Sequence, residues 1–135
     1  MKLSKKAEYA LRALVAMGRE HEGANFSIQD LSRSEGIPLK FLEQILLALK
    51  NGGLLRSKRG VGGGYQLVAR PERITLGEVV ALFDGPFDPL PGTEHEAMSE
   101  VFADLRQQVT QWFGSQTIAR IIERERSRGT VSFDI

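Results

Sequence analysis

The side chains of this chain that could do chemistry are cations, amides and one carboxylate at helical spacing, not nucleophiles. In residues 37–51, Leu42, Ile45, Leu46 and Leu49 recur at spacings of three and four and make one apolar stripe. Lys40, Glu43 and Gln44 fall off that stripe, near the start of the helix it predicts, with Pro38 and Leu39 just before them. A second set follows: Arg56 and Lys58 alternate along a strand-like run, then Arg59 precedes Gly60-Val61-Gly62-Gly63-Gly64. A third set, Lys2, Lys5, Lys6 and Tyr9, sits at the very start. Cations and a phenol suit phosphate oxygens, and Glu or Gln on a helix suits the donor and acceptor edges of bases.

Rival chemistries find less support. A nucleotide-phosphate loop needs its glycines to lead into a helix N-terminus, with a Lys-Ser or Lys-Thr pair or a dinucleotide fingerprint. Here they lead into Tyr65-Gln66-Leu67-Val68, which reads as a strand. The bland alternative is a flexible hairpin without a ligand. The chain has no cysteine, and its two histidines, His21 and His95, lie in different regions. Thiolate ligation, disulfides and thiol redox switching are therefore not expected. No paired carboxylates or activated nucleophile stand out, so the expectation is that the chain is not an enzyme.

The elements that must position these groups can be read in order. Ser4 caps a first helix to about Arg19, with Ala7, Leu11, Leu14, Val15 and Gly18 on one face. Ser27 with Asp30 resembles a capping box, and Phe26 with Leu31 a hydrophobic staple, opening a short helix over about 28–34. Glu35-Gly36 turns into residues 37–51, with Pro38 suited to the first helical position and Gly52 to the stop. Two short helices around a glycine turn predict a helix-turn-helix. Residues 54–58 and 65–68 then predict a hairpin, a basic wing with a glycine-rich tip. Thr75 with Glu78, and Ile74 with Val79, predict a short helix to about Phe83.

Residues 84–93 hold three of the five prolines and read as a linker or binding loop. Residues 94–113 predict the longest helix, about 30 Å at ~1.5 Å per residue. Met98, Val101, Phe102, Leu105, Val109, Trp112 and Phe113 give it an apolar stripe too wide for one small lobe to cover. A second copy of the chain is the expected cover, with folding back on its own lobe as the alternative. Residues 115–128 predict a last helix with Ile118, Ile121 and Ile122 inward and Arg120, Arg124, Arg126 and Arg128 on a solvated face with Glu123 and Glu125. The expected organisation is a DNA-binding domain over 1–83, a linker over 84–93 and a helical dimerisation region over 94–135. The fold class is mainly α with a small β-hairpin: a winged helix-turn-helix plus a long C-terminal dimerisation helix.

Charge supports the basic half as the nucleic-acid side. The total is only +1, but residues 1–70 carry twelve Lys/Arg against six Asp/Glu, and residues 71–135 carry six against eleven. No apolar run is long enough to span a bilayer, and the N-terminus lacks the apolar segment of a secretory signal, so a cytoplasmic location is expected.

The opening residues Met1 to Leu14, then Phe41-Leu42-Glu43-Gln44-Ile45-Leu46, Arg59-Gly60-Val61-Gly62-Gly63-Gly64-Tyr65 and Ile74-Thr75-Leu76-Gly77-Glu78-Val79, resemble the Rrf-two family of bacterial transcription regulators. The likeness covers roughly residues 1–83 in order; after Pro86 it is one of architecture only. It implies a winged helix-turn-helix dimer on an imperfectly palindromic operator, usually as a repressor. It also implies base reading at Pro38, Lys40 and Glu43, wing contacts at Arg59 and Val61 with Gly62 and Gly63 at the tip, and phosphate contacts at Lys5 and Tyr9. The family's cluster-binding members place three cysteines between the fourth helix and the long helix; this chain has none. The expectation is a regulator with no iron–sulfur cluster or other cofactor, answering to its own concentration, a small-molecule effector or a protein partner. The alternative is a winged-helix protein-interaction module that has lost DNA binding. Salt distinguishes the two, because only phosphate contacts make affinity fall steeply as salt rises.

Overall fold

The computed structural model describes residues 2–92 and 96–133. Helix α1 (Lys5–Gly18) opens where Ser4 Oγ accepts the Ala7 amide at 3.1 Å. Its alanines Ala7, Ala10 and Ala13 are fully buried, so their small side chains let neighbouring helices approach closely. Helix α2 (Ile28–Glu35) starts at Ser27, whose hydroxyl accepts the Asp30 amide at 3.1 Å. It ends at Gly36, whose φ of 64° turns the chain sharply into the next helix. Of each predicted capping box only the hydroxyl half forms: Asp30 pairs with Arg33 instead, and Thr75 accepts the Glu78 amide.

Helix α3 is Leu39–Asn51, one residue shorter at its start than Pro38 at the first helical position would give. Pro38 is extended (φ −56°, ψ 134°) and its carbonyl accepts the Leu42 amide, which makes it the cap. Proline's missing N–H does no harm there either, because that donor has no intrahelical partner. Leu42, Ile45, Leu46 and Leu49 are fully buried, as their spacing predicts.

Strands β1 (Leu55–Lys58) and β2 (Gly64–Leu67) pair antiparallel, Leu55 opposite Leu67 and Lys58 opposite Gly64. Three of their four ends lie one residue from the expected place, and Val68 is outside the strand and exposed. Phe26, read only as half of a staple, also forms a one-residue bridge to Tyr65, with amide–carbonyl bonds of 2.8 and 2.9 Å. The wing is thus backed by the segment that leads into α2.

Helix α4 (Leu76–Asp84) begins at Thr75, and Asp84 at its end accepts the Ser4 amide at 3.0 Å. The long helix predicted from Glu94 begins instead at Ser99, after a single 3-10 turn at Glu96–Met98; Thr93, Glu94 and His95 lie outside the described residues. Helix α5 is Ser99–Ser115, about 25 Å long at ~1.5 Å per residue. Met98, counted in the apolar stripe, precedes the helix as its cap. The irregular stretch before it is pinned: Arg106 Nε meets Asp88 Oδ1 at 2.9 Å and its Nη2 donates to the Leu90 carbonyl at 2.8 Å. The Arg106 bond, with the Leu90 amide, holds the Asp88 carboxyl below its ordinary range.

Helix α6 (Ile118–Phe133) returns to the winged part. Ile118 and Ile122 are buried in one cluster with Leu14, Ile45, Leu49 and Ile74. Leu76 N bonds Gln116 O at 2.8 Å, and Ile118 N bonds Ile74 O at 2.9 Å. Glu125, placed by sequence on a solvated face, accepts a two-pronged bond from Arg19 of α1, closest at 2.7 Å. The hydrophobic core therefore draws on both sides of residues 84–93.

Candidate nucleic-acid interface

Burying one face of α3 forces the other outward. Leu39, Lys40, Phe41, Glu43 and Gln44 are all exposed. Among the described residues, Glu43 makes no ion pair with Lys40 or Lys50, so this stripe is not spent on surface pairing. Lys40 can donate to a phosphate or to guanine acceptors, Glu43 can accept from a cytosine amino group, and Gln44 can do either.

The start of α1 is brought against the start of α3 by aromatic contact: the Tyr9 and Phe41 ring centroids are 6.4 Å apart. Lys5 Nζ lies 5.8 Å and the Arg12 guanidinium 5.5 Å from the Tyr9 ring centre. Lys5 also meets Glu8 at 3.3 Å, an exposed pair that competes weakly with a phosphate. Lys2 and Lys6 are exposed beside it. Arg12 carries no spacing signal that would single it out from sequence; it donates to the Glu35 carbonyl at the end of α2.

The wing carries Arg56 and Lys58 on β1, then Arg59 and the tip residues, all exposed up to Gly62. Val61 is fully exposed at the tip. Gly60 and Gly62 have φ of 94° and 76°, and a Cβ on Gly63 would lie 2.5 Å from the Lys58 carbonyl oxygen. The glycines are thus required by the turn itself. Arg56 is partly engaged: its Nε donates to Gln66 Oε1 at 2.9 Å, and Gln66 Nε2 donates to the Gly23 carbonyl at 3.2 Å. Lys58 and Arg59 have no ion-pair partner among the described residues.

The dimerisation candidates behave differently from core. No residue of α5 is buried, and Val101, Leu105 and Trp112 are 59, 42 and 50% exposed. Phe102 and Val109 are half-buried, and Phe113 packs edge-on against Phe87 at 5.0 Å.

A helix-turn-helix with a hairpin wing and an outward polar stripe on its second helix defines a DNA-binding regulator of the winged class. The chain belongs to the Rrf2 (Rrf-two) family, described as iron-dependent transcriptional regulators, which it matches over residues 3–124. It is 31% identical over 120 residues to the transcriptional regulator CymR of Bacillus subtilis, covering 87% of each chain. It is 28% identical over 133 residues to the transcriptional regulator IscR of Xenorhabdus nematophila, covering 93% of this chain and 81% of that one. The solved structure of CymR, described as the global cysteine regulator of B. subtilis, superimposes with a TM-score of 0.82 at 28% identity, over 92% of this chain and 98% of that chain. Several other curated relatives are matched over only 52 to 62% of their length. These relatives are regulators of transcription, not enzymes. Among the described residues, no helix is long and apolar enough to cross a membrane.

Proposed function

We propose that the chain works as a homodimeric repressor on a two-fold symmetric operator, without an iron–sulfur cluster. The observation that carries the DNA part is the unpaired, outward stripe Lys40, Glu43 and Gln44 on a helix whose opposite face is fully buried. The dimer reading rests on α5, where Val101, Leu105 and Trp112 share one face and all three are exposed. The cluster-free reading rests on donor chemistry. Iron–sulfur clusters are held chiefly by cysteine thiolates, and the chain has none. In the stretch where the family's cluster ligands would fall, Asp84 is taken by the Ser4 amide and Asp88 by Arg106. The donor set does not fit the group.

Mechanistically, Lys2, Lys5, Lys6, Lys58 and Arg59 neutralise phosphates and supply most of the affinity, while α3 reads bases. Selection from a random duplex pool, with no cofactor added, tests this directly. A two-fold symmetric motif supports it. No enrichment from folded dimeric protein would move the interaction-module reading to the front.

Two substitutions separate the roles. Arg59→Ala should weaken specific and random DNA alike, by roughly 5- to 10-fold, and lower the log–log salt slope by about one. Glu43→Ala should leave random-DNA affinity nearly unchanged but relax discrimination at one base pair per half-site by about 5- to 100-fold. If the Glu43 variant selects the parent's sites, the carboxylate is not a base reader.

A further inference from the structure

The wing is made of two four-residue strands and a five-residue tip, Arg59, Val61 and three glycines. Isolated hairpins of this size are marginal in water, and each glycine adds backbone freedom that must be lost on ordering. Something outside the hairpin has to hold it. The base of the wing packs on the core through Leu55, Tyr65 and Leu67, and the hydrogen bonds that reach its tip come from one short segment, residues 23–26. The side-chain amide of Asn25 donates from Nδ2 to the carbonyls of Gly62 and Gly63, at 2.5 and 3.1 Å. Two carbonyls can only accept, so the amide nitrogen is the group that fits. Phe26 pairs its backbone with Tyr65, and the Gly23 carbonyl receives Gln66, which in turn holds Arg56. At Gly64 the approach is so close that a Cβ would sit 2.3 Å from the Phe26 carbonyl oxygen.

We propose that Asn25 is a positioning residue for DNA binding: it clamps the glycine tip so that Arg59 and Val61 are presented in one fixed orientation. It touches no DNA in this scheme. The ordering of the tip is accomplished in the free protein, so less freedom is lost on binding. Asn25 is exposed, lies outside every helix and strand, and faces no core, so its loss should leave the fold intact. The proposal rests on the DNA-binding reading.

The test uses the full chain and a labelled random-sequence duplex, with Asn25→Ala, Arg59→Ala and the double variant. Asn25→Ala should weaken binding roughly 5-fold, the scale of one net hydrogen bond, with only a small fall in the thermal midpoint. Its effect should shrink in the Arg59→Ala background, because a clamp has less to present once the guanidinium is gone. In the free protein, amide exchange at Gly63 should quicken in Asn25→Ala. Parent-like affinity of Asn25→Ala, or losses that multiply in full in the double variant, would overturn the proposal. If the parent shows no salt-dependent binding at all, the DNA reading fails. Exchange at Gly63 then decides the clamp alone: unchanged exchange would overturn it.

Discussion

Leu105→Glu is expected to turn the proposed dimer into a monomer and to lower operator affinity by on the order of a hundredfold or more, with little change in the thermal stability of the single chain. Leu105 sits mid-way along α5, four residues from Val101 and seven from Trp112, so the three share a face. In the single chain it is 42% exposed, so a carboxylate there remains in water. Against a second copy the same carboxylate would be buried twice by symmetry, without a partner, at a cost of several kcal/mol. Two half-sites bound through one rigid linkage gain affinity from effective concentration, and a monomer loses that factor. Sedimentation velocity reads the assembly and a labelled operator reads the affinity. A variant that stays dimeric would show that α5 is not the interface. A cut after Phe83 would test the same point badly. It removes Ile118 and Ile122, and a buried Ile of this kind is worth ~2–5 kcal/mol, so the fragment would lose part of its own core.

The second large effect is expected at Gly64. Gly64→Ala places a methyl 2.3 Å from the Phe26 carbonyl oxygen and 2.8 Å from its carbon, both backbone atoms that cannot swing aside. Its φ of 153° adds strain for any side chain. The Phe26–Tyr65 bridge must open, and with it two short hydrogen bonds. A loss of about 2–4 kcal/mol follows, or a fall of roughly 10 °C in the thermal midpoint for a domain of this size. Gly62→Ala is the control. Its φ is 76° but nothing lies within 4 Å of the added methyl, so only the backbone penalty of about 1 kcal/mol applies. Equal midpoints for the two variants would show that the close approach at Gly64 is not what ties the wing down.

What can be read from sequence divides along the range of the forces involved. The α3 stripe at 42, 45, 46 and 49 and the caps at Ser4, Ser27 and Thr75 are local, and they stand where spacing places them. The exposure of Lys40, Glu43 and Gln44 comes from that same periodicity. Spacing puts the start of α5 at Glu94 rather than Ser99, because Glu94, His95 and Ala97 are as compatible with a helix as the residues of α5 itself. Contacts between distant segments leave no signal. Nothing around Asn25 indicates that its amide meets Gly62, thirty-seven residues on. Glu125 reads as one more charge in an alternating row, yet it meets Arg19 across 106 residues. Residues 84–93 read as a boundary because of their prolines, and composition cannot report that the chain beyond them supplies Ile118 to the core.

That return of α6 has a consequence for how the protein comes into being. Chains leave the ribosome N-terminus first, at about 5–20 residues per second, and contacts far apart in sequence form late. The side of α1 that receives Ile118 and Ile122, and the Arg19 that receives Glu125, must wait until α5 has been made and α6 has emerged. A nascent winged head is therefore incompletely packed for as long as α6 is missing. A product that ends before α6 lacks Ile118, Ile122 and the Glu125 partner of Arg19, and is expected to be less stable than the full chain and more open to proteolysis.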